Sequence, residues 1–512
     1  MNVATIFERS ARQFPDKVAL RCAGEELTYG ELDARANALV EFLRGKGFGG
    51  GERLAIYLPN CLEYMVCMLA AWKAGGVALP VNYMFTEDVL RYVLDDSGSS
   101  WLAVGQEDAR RLEGVIRDCG LSNSLIVTGG RPEAGYAFDE VASGGAKDSR
   151  AAARRDGEDA VLMYTSGTTG RPKGVRQAHR NNSAAIEMIV DAWRFTPEDH
   201  WLLAAPMFHV GGLQVSTFPM LACGGTVTML PRWSAAEWLK LAAEHQPTLS
   251  GLIAAMVVDV ANHAPEETFR LDSMRMCLIG GSRVPEPAIQ RFKQRFGIGL
   301  KEVYGQTETT GLCTTYLAKE DRIPGSVGRA MDQVVEARVI HPDTGKDIPQ
   351  ADPAVGELHL KGETITPGYW NRPEVTQERF DGRWLRTGDM VRRDERGYIY
   401  YADRADEMIV SGGENVYPQE VEGAISEHEG VAEVSVIGTP HERWVEQVTA
   451  IIVPRNETIT AEAIDEFCAS HASLSRYQRP GRIVLVESLP KMGSGKIDRS
   501  ALKREYAASS AT

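Results

Sequence analysis

Between Glu31 and Leu43 the apolar residues fall at Leu32, Ala36, Leu39, Val40 and Leu43, a spacing that predicts one buried face of a helix. A Gly-rich turn follows, then the apolar run from Leu54 to Leu58, which predicts a buried strand. A second helix fits Leu62 to Lys73. Further short apolar runs at Val77–Val81, Trp101–Val104, Leu125–Thr128 and Ala160–Tyr164 are separated by longer segments, the alternation of a parallel α/β sheet. Residues 129–157, rich in Gly, Ala, Arg and Asp, read as a surface excursion. The strand and helix rhythm resumes from Trp201 to about Phe296, with strands expected at Leu249–Ile253 and Met276–Ile279. After Ser326 the texture changes. Val334–Ile340 and Gly356–Lys361 alternate apolar and polar residues, as half-exposed antiparallel strands do, and predict a small β-rich subdomain ending near Arg404. Helix-like Tyr417–His428 and Ala461–Ala472, with strand-like Val431–Ile437 and Ala450–Val453, predict a compact α+β unit at the end. The expectation is an α/β protein: a large N-terminal domain, residues 1–404, of α/β layers plus the β-rich subdomain, then a small α+β C-terminal domain, residues 405–512.

A chain of 512 residues exceeds one ordinary core, which agrees with two domains. A formal charge of −14 argues against a general nucleic-acid or anionic-membrane surface, since either needs a dense basic face. The eight cysteines are scattered without a C-x-x-C pair or metal-ligand spacing, and read as reduced core residues of a cytoplasmic protein. The stretch Met1–Phe14 is no signal peptide. The most apolar window, Tyr64–Val81, is broken by Lys73, Gly75 and Gly76 and falls short of a membrane span. The C-terminal residues are not a peroxisomal Ser-Lys-Leu.

The strongest chemical signal is Tyr164-Thr165-Ser166-Gly167-Thr168-Thr169-Gly170-Arg171-Pro172-Lys173-Gly174. Hydroxyls and glycines in such density let backbone N–H groups converge on an anion, and Lys173 adds a positive charge. Leaving a strand at a sheet edge, this loop reads as a phosphate grip, although the kinase-type P-loop pattern is absent. Further loops after strand-like runs are Met207–Gly212, Gly280-Gly281-Ser282 and Val303-Tyr304-Gly305-Gln306-Thr307-Glu308. Arg386-Thr387-Gly388-Asp389 closes the β-rich stretch, and a carboxylate there can accept both hydroxyls of a ribose. Ser411–Pro418 and Lys491-Met492-Gly493-Ser494-Gly495-Lys496 complete the set.

In this order, from Leu27-Thr28-Tyr29 almost to the end, these motifs resemble the adenylate-forming ligases: acyl-CoA synthetases, adenylation domains of peptide synthetases, and luciferases. The resemblance implies that Thr165, Ser166, Gly167, Thr168, Thr169, Gly170 and Lys173 hold the ATP phosphates, with Gly281 and Ser282 also at the nucleotide. It implies that Tyr304 packs on adenine, Thr307 contacts the α-phosphate, Glu308 holds Mg²⁺, and Asp389 with Arg404 binds the ribose. Mg²⁺ suits the chemistry, because a carboxylate attacking the α-phosphorus must overcome charge repulsion. Asp406 matches the hinge of a mobile C-terminal domain. Lys496 matches the lysine aligned with acyl carboxylate and α-phosphate, Gly412 and Gly413 the loop lining the pantetheine tunnel, and Tyr477 and Arg479 contacts to the CoA nucleotide. His209, Val210, Gly211, Ser282, Val303, Gly305, Thr310 and Gly311 fall at or near the acyl pocket, His209 also counting among the catalytic positions.

Three departures stand out. The family usually has Gly before the arginine matched by Arg404, where this chain has Asp403. Asn82-Tyr83-Met84-Phe85 lacks a basic residue common in close CoA ligases, and Met256 replaces a common proline. The expected reaction joins a small-molecule carboxylic acid to CoA with ATP and Mg²⁺, in two steps. A stand-alone enzyme loading a carrier protein in trans, and a non-catalytic ATP-binding regulatory protein, remain alternatives, and a homodimer is left open. No acidic residue stands where an amino acid's ammonium would pair. With three glycines at the pocket, the expected acid is a medium- or long-chain fatty acid or a bulky aryl or alicyclic acid. Arg283 pulls the other way, toward an acid with a second carboxylate, although a solvated side chain opening a helix is the commoner reading of such an arginine.

Overall fold

The computed structural model spans residues 1–512 and is described except for residues 144–148, 166–170, 264–270, 282, 283, 285, 332, 333, 406, 412, 413, 442, 457, 458, 472, 493–496 and 508–512. Two seven-stranded sheets build the first part. One runs in the order Leu300–Glu302, Met276–Ile279, Leu249–Leu252, His200–Leu203, Thr226–Met229, Val18–Cys22, Glu25–Thr28. The other runs Tyr136–Ala137, Leu125–Thr128, Trp101–Gly105, Arg53–Tyr57, Val77–Pro80, Asp159–Thr165, Lys173–Ala178. Each is parallel until its last pair, Val18–Cys22 with Glu25–Thr28 and Asp159–Thr165 with Lys173–Ala178, which are antiparallel.

The helix Leu62–Ala74 packs against strands of both sheets. Its residues are apolar almost all round, so burial on every side is the only arrangement that keeps them from water. Lys73, 1% exposed, is accommodated there by Asp33 at 2.8 Å and Glu8 at 3.2 Å, and Gly75 ends the helix at φ 91°. Among the described residues no helix is long and apolar enough to cross a membrane.

The alternating segments after Ser326 do form an antiparallel sheet, ordered Thr314–Thr315, Ser326–Ala330, Tyr398–Arg404, Trp384–Arg393, Gly356–Gly362, Val335–Ile340. A smaller sheet follows, in which Val445–Pro454 pairs along its length with the end strand Val431–His441, and the helices Pro418–Ile425 and Ala461–Ser470 line its own apolar cluster. The architecture is thus mixed α/β, with a large first part and a small last one.

Three expectations are corrected. The 129–157 stretch is not merely a surface excursion: Tyr136–Ala137 extends the parallel sheet, and Phe138 in the short helix after it is 1% exposed, because aromatic area there is buried against the main core. Arg386–Asp389 does not close the β-rich stretch but lies inside the strand Trp384–Arg393, where Gly388 at φ 72° accompanies a break in pairing register. All eight cysteines are free thiols, but Cys61, Cys119 and Cys223 are only half-buried, outside the fully buried core.

Candidate active site

The loop after Thr165 joins two antiparallel neighbours, so Thr165 and Lys173 face each other across its base. Ser166, Gly167, Thr168, Thr169 and Gly170 lie outside the described residues, but both stems are held by the helix Glu87–Ser97. The Tyr164 hydroxyl donates to Asp96 at 2.6 Å, and the Tyr92 hydroxyl donates to the Pro172 carbonyl at 3.2 Å. Arg372 donates to Asp96 and to Tyr92, at 2.9 Å each, and Trp370 donates its indole N–H to the Asp96 carbonyl at 2.9 Å. Burial foremost, then the Asp96 carboxylate, pushes the Tyr164 phenol well above its ordinary range.

The edge strand Lys173–Ala178 carries residues 366–370 along its open side. Arg176 N–H donates to the Gly368 carbonyl at 3.1 Å, Trp370 N–H to Gly174 at 2.7 Å, and the Thr366 hydroxyl to Arg176 at 2.6 Å. This contact brings Tyr369 to Glu308, whose carboxylate accepts the phenol at 2.7 Å, while Thr366 N–H reaches the Glu308 carbonyl at 2.8 Å. Beside it, buried Gln177 donates to the Thr307 carbonyl at 3.0 Å and accepts from Gln214 at 2.6 Å. Among the described residues no group of three or more His, Cys, Asp or Glu forms a metal cluster. Glu308 as a single carboxylate fits Mg²⁺, which commonly takes one or two carboxylates and completes its octahedron with phosphates and water.

Asp389 is 2% exposed and collects donors from three directions. Tyr304 and Gln306 bond to its Oδ2, while Arg404 at 3.0 Å and Tyr401 at 3.3 Å reach Oδ1. The Thr387 carbonyl next to it accepts from Arg379 at 2.9 Å, Gln306 at 3.1 Å and Arg404 at 3.2 Å. Burial and then the Asp389 charge hold the Tyr304 phenol well above its ordinary range, so it stays a donor. Asp403 is fully buried, accepts from Gln419 N–H at 2.9 Å and pairs with Arg499 at 3.2 Å; burial pushes its carboxyl up to about 6. A glycine at that position could not make this bond between the last strand of the β-rich sheet and the helix Arg499–Ala507.

Lys173, Tyr304, Thr307, Glu308, Asp389 and Arg404 are therefore joined through one connected set of strands and hydrogen bonds. His209 stands at the start of a π-helix, Gly211–Thr217, its ring 4.6 Å from that of Phe208. Among the pocket positions, Val210 and Val303 are half-buried against the core. Only Gly211 has open space where a Cβ would be. A Cβ on Gly305 would sit 1.7 Å from the Gly311 carbonyl, and one on Gly311 would sit 3.2 Å from Val215. Thr310 is fully buried with its hydroxyl on the Thr364 carbonyl at 2.7 Å. Room at Gly305 is thus used by the protein's own backbone and room at Gly311 by the Val215 and Gln214 side chains, which removes part of the argument for a large acid. Gly281 has φ 82°, a left-handed turn after the strand Met276–Ile279.

Tyr477 is 45% exposed, and Arg479 pairs with Asp465 at 3.3 Å; among the described residues neither bonds to the Asp389 cluster. Ser282, Arg283, Asp406, Gly412, Gly413 and Lys496 lie outside the described residues. Sequence reading missed Gln177, Gln214, Gln306, Tyr369 and Arg379. Only Gln306, inside the Tyr304–Glu308 motif, carried a local signal.

Residues 7–370 match the family described as AMP-binding enzyme, and residues 420–496 match the AMP-binding enzyme C-terminal domain. The long-chain-fatty-acid CoA ligase of Mycobacterium tuberculosis is 32% identical over 486 residues, covering 94% of this chain and 93% of that one. The sulfoacetate CoA ligase of Cupriavidus necator is 33% identical over 511 residues, covering 98% and 97%. The structure of ATP-bound MatB from Rhodopseudomonas palustris superposes with a TM-score of 0.90 at 30% identity, over 99% of both chains.

Proposed function

Since this chain belongs to the AMP-binding enzymes and within them to the acyl-CoA ligases, which use ATP, Mg²⁺ and CoA, we propose that it activates a bulky, largely apolar monocarboxylic acid. In the first step the acid's carboxylate oxygen attacks the α-phosphorus, pyrophosphate leaves, and an acyl-adenylate forms. In the second the CoA thiol attacks the acyl carbon, losing its proton, and AMP departs with the former carboxylate oxygen. The protein contributes by positioning and charge neutralisation. The connected set of Lys173, Glu308 and Asp389 carries the reading, because a cation and two carboxylates on neighbouring elements suit the phosphates, Mg²⁺ and ribose of a nucleotide. When bound, Mg²⁺ at Glu308 would neutralise phosphate charge.

Residues 1–404 act in this reading as the adenylating domain and 405–512 as a mobile domain turning at Asp406, which exchanges Lys496 for the Gly412-Gly413 loop. Free CoA is the acceptor, met by Tyr477 and Arg479, in the cytoplasm. The apolar, half-buried side chains of Val210 and Val303 and the open space at Gly211 support an apolar acid. One observation favours a second reading, a short dianionic acid: the sulfoacetate ligase aligns over nearly the whole chain, and Arg283 offers a second cation.

A panel of acetate, octanoate, palmitate, benzoate, cinnamate, malonate and sulfoacetate, with pyrophosphate release and acyl-CoA formation followed separately, tests this. Octanoate, palmitate or cinnamate should have the highest kcat/KM. Preference for malonate or sulfoacetate would establish the second reading, and adenylate formation without any CoA ester would indicate a carrier protein as acceptor.

A further inference from the structure

Arg379 ends the short helix Pro373–Arg379 and enters the nucleotide cluster from a side that none of the motifs covers. Its Nη2 donates at 2.9 Å to the Thr387 carbonyl, the same oxygen that takes Arg404 Nη1 at 3.2 Å. A Cβ at Gly388 would lie 3.2 Å from Arg379 Nη1 and equally 3.2 Å from Arg404 Nη2, so two guanidiniums converge on one glycine. Like charges at such range repel, and the arrangement is stable only with negative charge nearby. Arg404 has Asp389 at 3.0 Å. Arg379, by contrast, has no carboxylate within ion-pairing distance among the described residues, and its buried Nε has no hydrogen-bond partner among them. A half-buried guanidinium whose one partner among the described residues is a neutral carbonyl is an incomplete site. Its charge is also felt at the Tyr369 phenol that donates to Glu308.

The geometry points to Arg379 as a direct ligand of the nucleotide's phosphate chain at its ribose end, supplying with Arg404 a two-guanidinium grip around Gly388. This rests on the nucleotide reading of the site and adds a residue to it. The partner that Arg379 lacks is then the α-phosphate, present in ATP, in the acyl-adenylate and in AMP, so the grip persists through both steps.

Equilibrium binding of ATP, AMP and adenosine to wild type, Arg379→Gln and Arg379→Lys separates this from a purely structural role. ATP and AMP should bind Arg379→Gln about tenfold or more weakly, with partial recovery in Arg379→Lys, while adenosine binding stays within about twofold of wild type. If Arg379 only braces the Thr387–Asp389 backbone, the ribose contact suffers too and all three ligands weaken together; that result overturns the proposal, as does unchanged AMP affinity. Thermal melting of each variant confirms that folded protein is compared. Failure of wild type to bind ATP would instead overturn the ligase reading on which the proposal stands.

Discussion

Among the described residues the Glu308 carboxylate is oriented by one neutral donor, the Tyr369 phenol at 2.7 Å, and hydrogen bonds to charged groups contribute about 1.5–3 kcal/mol. Tyr369→Phe should therefore lower pyrophosphate release by about ten- to a hundredfold and raise the Mg²⁺ concentration for half-maximal rate, with little change in melting temperature. A Mg²⁺ titration at saturating ATP checks it. The glycines yield a second expectation at this scale. Because Gly305 lies against the Gly311 carbonyl, Gly305→Ala should destabilise the fold by about 1–3 kcal/mol and leave the order of preferred acids unchanged. Had Gly305 made room for the acyl chain, the same substitution would spare stability and shift preference toward shorter acids, which denaturant melts and the acid panel distinguish. Both residues show what a motif hides: Gly305 is explicable only with the facing backbone in view.

The helix Glu87–Ser97 clamps the base of the loop proposed to hold phosphate, since Tyr92 and Asp96 hold the two stems and Arg372 ties them together. Asp96→Ala removes acceptors for Tyr164 and Arg372 at once and frees the loop base. We expect KM for ATP to rise about tenfold in the adenylation step, while thioester formation from supplied acyl-adenylate keeps its rate. Half-reaction assays on both substrates decide this, and equal loss in the two would mean general destabilisation. The helix Glu87–Ser97 was legible as one of the segments between strands, yet its work on the loop was not, because Asp96 and Arg372 are far apart in the chain and meet only when the edge strand Lys173–Ala178 seats residues 366–370.

At the scale of the molecule, fully buried His179 ties the N-terminal segment to the sheet interior: its Nδ1 accepts the Val3 N–H at 3.2 Å. That bond requires the neutral ring, and burial foremost, then nearby Arg154, lowers its pKa from 6.5 to about 4. Between those values the unfolded chain binds the proton that the folded chain refuses, so stability is fully present above about pH 6.5 and falls as pH drops toward about 4, by roughly 3 kcal/mol in all. Denaturant melts at pH 7 and pH 5 should show this loss in wild type, and a smaller one in His179→Gln. Proline at the proposed hinge offers a second test: Asp406→Pro fixes φ and should uncouple adenylation from thioester formation, whereas wild-type overall turnover would remove Asp406 as the pivot. Local order determined most of the secondary structure, because apolar period and turn residues act within a few positions; Leu62–Ala74 and Leu125–Thr128 fall where the pattern puts them. The motifs likewise determined the ligase class, since Tyr304–Glu308 and Thr165–Lys173 each lie in one short stretch. Only the tertiary structure decided that Asp389 stands inside a strand, that Tyr369 serves Glu308, that Arg379 shares a carbonyl with Arg404, and that Gly305 fills space it was expected to open. Those outcomes depend on how the backbone turns back on itself, over six residues from Gly305 to Gly311 and over 61 from Glu308 to Tyr369, and no apolar period or turn signal encodes which backbone will face a given atom.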